Sequence, residues 1–343
     1  MGRGPINSNS DWFKWVHDKE NIEKGVVSGD FPENGPGFWE LYEEDLRRAR
    51  EDLNNNAIRL AIEWSRIFPN PTYDIPARVV RDRRGNIERV DLSKDSMTLL
   101  DEKADHEAVK RYREILEKAK ELDLKILLTV YHWPLPLWMH DPISCKRDIL
   151  HTEKRGWLDD TTIIEFAKYS AYIAHTFGDL VDLYITINEP EVITFNGYLN
   201  PETGFLPGIR DLNLALRVLK NLAIAHGIAY EQIKQWDKIS VSKYGPATVG
   251  IARVLHEIAP HNPDNPDDVM VAEIWRYAWN EWFFNAIIQG DFDMNLDMLV
   301  DPDEKLPNLV KGCDYIGVNY YARFTVRNAK RGEIHLVLEV EHV

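Results

Sequence analysis

"DLYITINEPEVITF", residues 182–195, begins as a strand and ends as a site. From Asp182 to Ile187 the residues alternate at strand spacing, and then Asn188, Glu189 and Pro190 arrive together. Proline fixes its own φ and biases the residue before it away from the α region, so an acidic side chain is delivered at a strand terminus. Four other runs read as buried parallel strands: "AIRLAI" (57–62), "KILLTVY" (125–131), "ATVGIARV" (247–254) and "CDYIGV" (313–318). Polar and aromatic residues crowd several of their ends, in "EWSRIFP", "YHWPLPLWM" and "NYYAR".

Amphipathic segments separate these runs. Residues 105–122 place Val109, Tyr112, Leu116 and Ala119 at helical spacing, and 212–236 do so with Leu212, Leu216, Leu219 and Ala223. Residues 39–53 and 161–177 complete the series. Such alternation permits a doubly wound sheet or a (β/α)8 barrel. A nucleotide-binding sheet wants a Gly-rich turn directly after a strand, and none of the five has one. Function gathered at the C-terminal ends of several strands is the habit of the barrel, so a TIM-barrel type α/β fold is expected. The polar stretch from Asn70 to Asp105 reads as a surface excursion with a small hairpin around Arg84, Gly85 and Asn86.

A chain of 343 residues can bury a sizeable core, and its 44% hydrophobic and 28% charged content is that of a globular protein. The net charge of −15 argues against nucleic acid and against an anionic membrane surface. No apolar run approaches a membrane span, and "MGRGPINSNSDW" has no signal-peptide core. Ile6 stands where a myristoylation signal needs Ser or Thr. Cys145 and Cys313 sit in no metal or redox spacing, which favours a reducing, cytoplasmic setting. No P-loop, nucleophile elbow or zinc signature occurs, and the His-Asp-Pro segment 256–268 matches no ligand set. Neither cofactor nor metal is expected.

A general acid working near neutrality needs a carboxyl whose proton is held by desolvation, and a strand end in a cleft provides that. A lone Glu there is more often paired with an Arg, so the company at other strand ends decides the reading of Glu189. His132 and Trp133 close their strand with a hydrogen-bonding ring and an aromatic face, both suited to a sugar. Asn188 can bond a substrate hydroxyl. Arg59 stands inside an apolar strand, where a charge is costly unless paired, and so implies a buried carboxylate.

These motifs together resemble glycoside hydrolase family 1, most closely its archaeal β-glycosidases. "SDWFKWVHDKENIEKGVVSGDFPENGPGFWELY", "IRLAIEWSRIFPNP", "YHWPLPLWMHDP", "GWLDDTTIIEFAKYSAYIA", "TINEPEV", "WFFNAIIQGDF" and "DYIGVNYYAR" follow in the family's order. The resemblance implies a (β/α)8 barrel that hydrolyses β-linked glucosides and galactosides with retention. It implies Glu189 as acid/base, Asn188 on the hydroxyl at sugar carbon 2, and His132 and Trp133 lining the glycone subsite. Arg59 and Tyr321 would contact the nucleophile carboxylate.

Retention needs two carboxyl groups about 5 to 5.5 Å apart. The family's nucleophile lies in a "TENG"-like motif on its seventh strand, and the one "ENG" here, Glu33 to Gly35, matches an early loop instead. Strands 2 to 6 have counterparts, and strands 1, 7 and 8 have none. The expectation is a single incomplete barrel over 1–343, with the insert at 70–105 and the nucleophile absent from this chain. Its open sheet edges invite an oligomer or a complementing chain. Two alternatives stand beside an active glycosidase. One is a catalytically inactive fragment or a sugar-binding or assembly subunit. In the other, the alternating tail "HLVLEVEHV" offers Glu339 or Glu341 as a substitute carboxylate.

Overall fold

The computed structural model describes residues 7–241, 243, 245–328 and 339–341. Five strands form one parallel sheet: β1 (Ala57–Ala61), β4 (Lys125–Tyr131), β5 (Leu183–Asn188), β6 (Val249–Val254) and β8 (Tyr315–Asn319), in that spatial order. Each successive pair is neighbouring, parallel and joined through helices, the arrangement of consecutive βα units in an incomplete (β/α)8 barrel. The expected strand runs therefore match to within one or two residues at most ends.

The crossovers follow the expected pattern. His106–Glu121 leads into β4, Thr161–Phe177 into β5 and Leu212–Trp236 into β6. Asp105 caps the first by accepting from the Glu107 and Ala108 amides, and Asp211 caps the third through the Leu214 amide. The helix Thr161–Phe177 is buried on nearly every side, and its Glu165 and Lys168 are paired at 2.7 Å, as buried charges must be. Ile126, Leu128, Ile187, Val249 and Ile251 are fully buried in the sheet, which is why these strands read as continuous apolar runs.

The excursion after β1 contains the expected hairpin, β2 (Arg78–Arg81) with β3 (Ile87–Asp91), and then the helix Lys94–Lys103. Its placement differs from a merely polar surface loop. Ile87, Val90, Met97 and Leu100 join the main core, and Gln232 donates to the Val90 carbonyl at 2.7 Å. Four apolar residues spread among many charges were outvoted by composition. A second small sheet follows the barrel strands: β7 (Glu257–Pro260) parallel to β9 (Arg323–Val326), and β10 (Glu339–Glu341) antiparallel to β9.

Candidate active site

The sheet's C-terminal end gathers the polar residues. Glu189 follows β5 directly and begins the helix Pro190–Tyr198, with Pro190 in its first turn. Its backbone is left-handed (φ 48°, ψ 66°), and its amide donates to the Ala252 carbonyl on β6 at 2.8 Å. The side chain is 5% exposed, and its Oε1 accepts from Asn319 Nδ2 at 2.6 Å.

The strand itself explains why Asn188 points at this site. Ile185 pairs with Gly250 and Asn188 with Ala252, so β5 carries one extra residue between two rungs. Such a bulge re-aims the side chains beyond it, moving Asn188 to the inner face that simple alternation would give to Ile187. Arg59 Nη2 donates to Asn188 Oδ1 at 2.5 Å and Arg59 Nε to Thr129 Oγ1 at 2.9 Å. Three neighbouring strands are thus tied across their inner faces. Gly250 lets the inner face close up, since a Cβ there would meet the Tyr315 carbonyl and ring at 2.5 to 2.8 Å.

Arg59 has no carboxylate partner among the described residues. It is exposed rather than buried, and its guanidinium holds an amide and a hydroxyl. It lies on the inner face of β1, at one margin of the described sheet. Desolvation by the neighbouring strand ends lowers its pKa, and the charge of Glu189 pulls it back up. Desolvation raises the Tyr321 hydroxyl, Glu189 raises it further and Arg59 lowers it. Tyr321 itself is 66% exposed.

Trp133 takes φ 84°, and its indole Nε1 donates to the Asn188 carbonyl at 3.0 Å. Its N–H is therefore occupied, and what it offers the cleft is a ring packed edge-on against Phe205 and His132. Tyr131 Oη donates to the Trp133 carbonyl at 2.5 Å. Behind this turn, the fully buried Asp11 accepts from the Leu135 amide at 2.9 Å and pairs with His140 Nδ1 at 2.7 Å. His132 is open to solvent on one side but crowded on the other. Desolvation first, then the Arg59 charge, lowers its pKa to about 4, so it is neutral at ordinary pH.

Glu189, Asn188, Arg59, His132, Trp133 and Tyr321 are thus all carried to one end of the sheet, with direct bonds joining Arg59, Asn188 and Trp133. Two partners escaped the sequence reading: Thr129, and Asn319 as the group that holds Glu189. The period-two pattern of β8 places Tyr315, Gly317 and Asn319 on one face and was the available signal. Glu33 lies in the turn Pro32–Asn34 and bonds His17 Nε2 at 3.0 Å, as a loop residue. A recess of about 710 Å³ lies apart from this cluster, between Tyr73, Trp138 and Lys168, and the Lys168 charge there is already spent on Glu165 and the Thr72 carbonyl. Among the described residues no His, Cys, Asp and Glu cluster is arranged to hold a metal ion, and no helix is long and apolar enough to cross a membrane.

Comparison with known proteins places the chain. Residues 101–341 match the sequence model of Glycosyl hydrolase family 1. The β-galactosidase of Pyrococcus woesei is 42% identical over 328 residues, 94% of this chain and 64% of that protein. The β-galactosidase of Saccharolobus solfataricus is 41% identical over 335 residues, 97% of this chain and 64% of that protein. In structure, the β-glycosidase of the hyperthermophile Thermosphaera aggregans superposes with a TM-score of 0.85 at 36% identity, covering 99% of this chain and 66% of the other. The chain spans less than two thirds of the length of the curated relatives it matches.

Proposed function

The chain belongs to glycosyl hydrolase family 1, and on that premise we propose that it carries the acid/base half of a retaining β-glycosidase centre acting on β-linked glucosides and galactosides. The observation that carries this reading is the placement of Glu189: a nearly buried carboxyl at a barrel strand end, steadied by Asn319 beside the Asn188 and Arg59 cluster. Glu189 protonates the glycosidic oxygen as the aglycone leaves, and its conjugate base then takes a proton from the water that attacks the anomeric carbon. Asn188 bonds a ring hydroxyl, Trp133 offers its face to the sugar C–H groups, and neutral His132 both donates and accepts at the glycone.

The nucleophile is a second carboxylate, and Arg59 and Tyr321 mark the side from which it approaches. Among the described residues no carboxyl other than Glu189 is bonded to Asn319, and none is bonded to Arg59 or Asn188. The backbone of β10 pairs with β9 in the small sheet, which favours an edge-covering role over a substitute nucleophile at Glu339 or Glu341. We place the nucleophile on polypeptide outside the described residues, brought in by a complementing chain along β1 or β8. The second reading, a sugar-binding or assembly subunit, draws on those margins: Ile316, Val318 and Tyr320 are all exposed.

The test is hydrolysis of p-nitrophenyl β-glucoside and β-galactoside by the purified chain, with and without added formate as an external nucleophile, beside Glu189→Gln. Turnover that falls in the variant supports the acid/base role. Turnover that needs formate supports the missing-carboxylate reading. A variant as active as the parent removes Glu189 from the mechanism, and sugar binding without turnover under either condition favours the subunit reading.

A further inference from the structure

Glu189 sits in a left-handed conformation, which is strained for a residue with a Cβ and persists only where its surroundings over-determine it. Two residues further on, Glu191 is 1% exposed and turned away from the cleft. Its Oε1 accepts from the Val254 amide at 2.6 Å, and its Oε2 from Arg253 Nε at 2.7 Å. Arg253 is wholly buried on the helix side of β6. Its Nη2 donates to the Trp279 carbonyl at 2.7 Å, and its guanidinium lies 4.6 and 4.9 Å from the ring centres of Phe284 and Phe283. Trp279 lies in the π-helical turn Tyr277–Glu281, where the widened ladder leaves a carbonyl available to a side chain. The Trp279 indole donates to the Val254 carbonyl at 3.0 Å and stacks on Phe195, in the helix that Glu189 begins. The contacts form a closed ring: Glu191 to β6, β6 to Trp279, and Trp279 back to the helix of Glu191.

We propose that the buried Glu191–Arg253 pair is a positioning device for Glu189, clamping the turn 188–191 to β6 so that the strained acid keeps its aim. This rests on the reading of Glu189 as acid/base. Stability is a poor explanation for the pair, because two buried charges give up their hydration and an apolar pair of similar volume often serves as well. Burial raises the Glu191 carboxyl against the pull of Arg253, and Arg253 Nη1 finds no partner among the described residues. What a carboxylate gains over an apolar side chain is two acceptors fixed in direction, one on a backbone amide and one on the fork. Together they lock the register of the turn.

Three variants test this: Glu191→Gln, Arg253→Lys, and the apolar pair Glu191→Leu with Arg253→Met. The first readout is amide exchange in the full chain. Residues 186–195 should exchange about tenfold faster in Glu191→Gln and in the apolar pair, while β1 and β4 keep their protection. Arg253→Lys, which keeps the charge, should recover part of it. The second readout, with formate present, is the ratio of kcat/KM for p-nitrophenyl over 2,4-dinitrophenyl β-glucoside, since only the poorer leaving group needs the acid. A misaimed Glu189 lowers that ratio at least fivefold, whereas general loosening lowers both rates alike. Unchanged exchange at 186–195, or a ratio that Glu189→Gln shifts and Glu191→Gln does not, overturns the proposal. A ratio that Glu189→Gln itself leaves unchanged overturns the acid/base reading instead, and the exchange result still decides whether the pair clamps the turn.

Discussion

In the middle of the sheet β5 and β6 have no open face. Tyr184, Ile187, Val249 and Ile251 are fully buried, and the site residues that finish β5, Asn188 and Glu189, remain buried with them. At the margins, Arg59 on β1 is open to solvent, and β8 leaves Ile316 42% and Val318 58% exposed. The same residue types thus meet different fates according to how many neighbours a strand has. A central strand is hydrogen-bonded on both edges and covered on its outer face, so a side chain at its end is fixed by several independent contacts. An edge strand has half of that support, and its inner residues settle for what lies within reach, as Arg59 does with Thr129 and Asn188. Glu189, the proposed acid, is central, and Arg59 and Tyr321, proposed to meet a nucleophile, are marginal.

Glu189→Gln should have the largest effect, lowering formate-supported turnover of p-nitrophenyl glycosides by about 10²- to 10⁴-fold, as loss of a general acid does. A loss below tenfold would move the acid elsewhere. Ile251→Ala, in the middle, should cost about 2–5 kcal/mol in urea unfolding. Asn319→Ala removes the β8 side chain that donates to Glu189, the one side-chain bond to that carboxyl among the described residues. It should lower kcat/KM about tenfold, or about 1.4 kcal/mol, while shifting the unfolding midpoint little. Val318→Ala, at the margin, should stay within about 0.5 kcal/mol of the parent. Equal costs for Ile251→Ala and Val318→Ala would mean that the β8 face is covered in solution.

The buried Asp11–His140 pair gives a pH dependence. Desolvation opposes a charge on His140, but its hydrogen bonds and charge interactions with Asp11 and Cys145 win, and its pKa rises from 6.5 to about 10. A folded value above the unfolded one means that the stabilisation is full below about pH 6.5 and is lost as pH rises through about 10. Tm should fall between pH 7 and pH 10, and His140→Gln should flatten that fall. An unchanged slope in the variant would assign the pH dependence to other groups.

Much of this was legible in the residues alone. The strands 125–131 and 57–62 and the helices 161–177 and 212–236 were marked by local periodicity, which is a property of consecutive side chains. The turn at Glu189 was marked by Pro190, whose ring restricts its neighbours wherever it stands. What the sequence could not decide were relations between strands. The bulge that turns Asn188 inward depends on the register of β5 against β6, and the pattern of one strand does not contain it. The exposure of Arg59 depends on how many strands flank β1, and a charge in an apolar run looks the same whether it is buried or at an edge. The Glu191–Arg253 clamp joins residues 62 positions apart and is invisible to any window on the chain. Periodicity and backbone stereochemistry act over a few residues and survive in the one-dimensional text, whereas register, edge position and buried pairing arise only when distant segments are packed together.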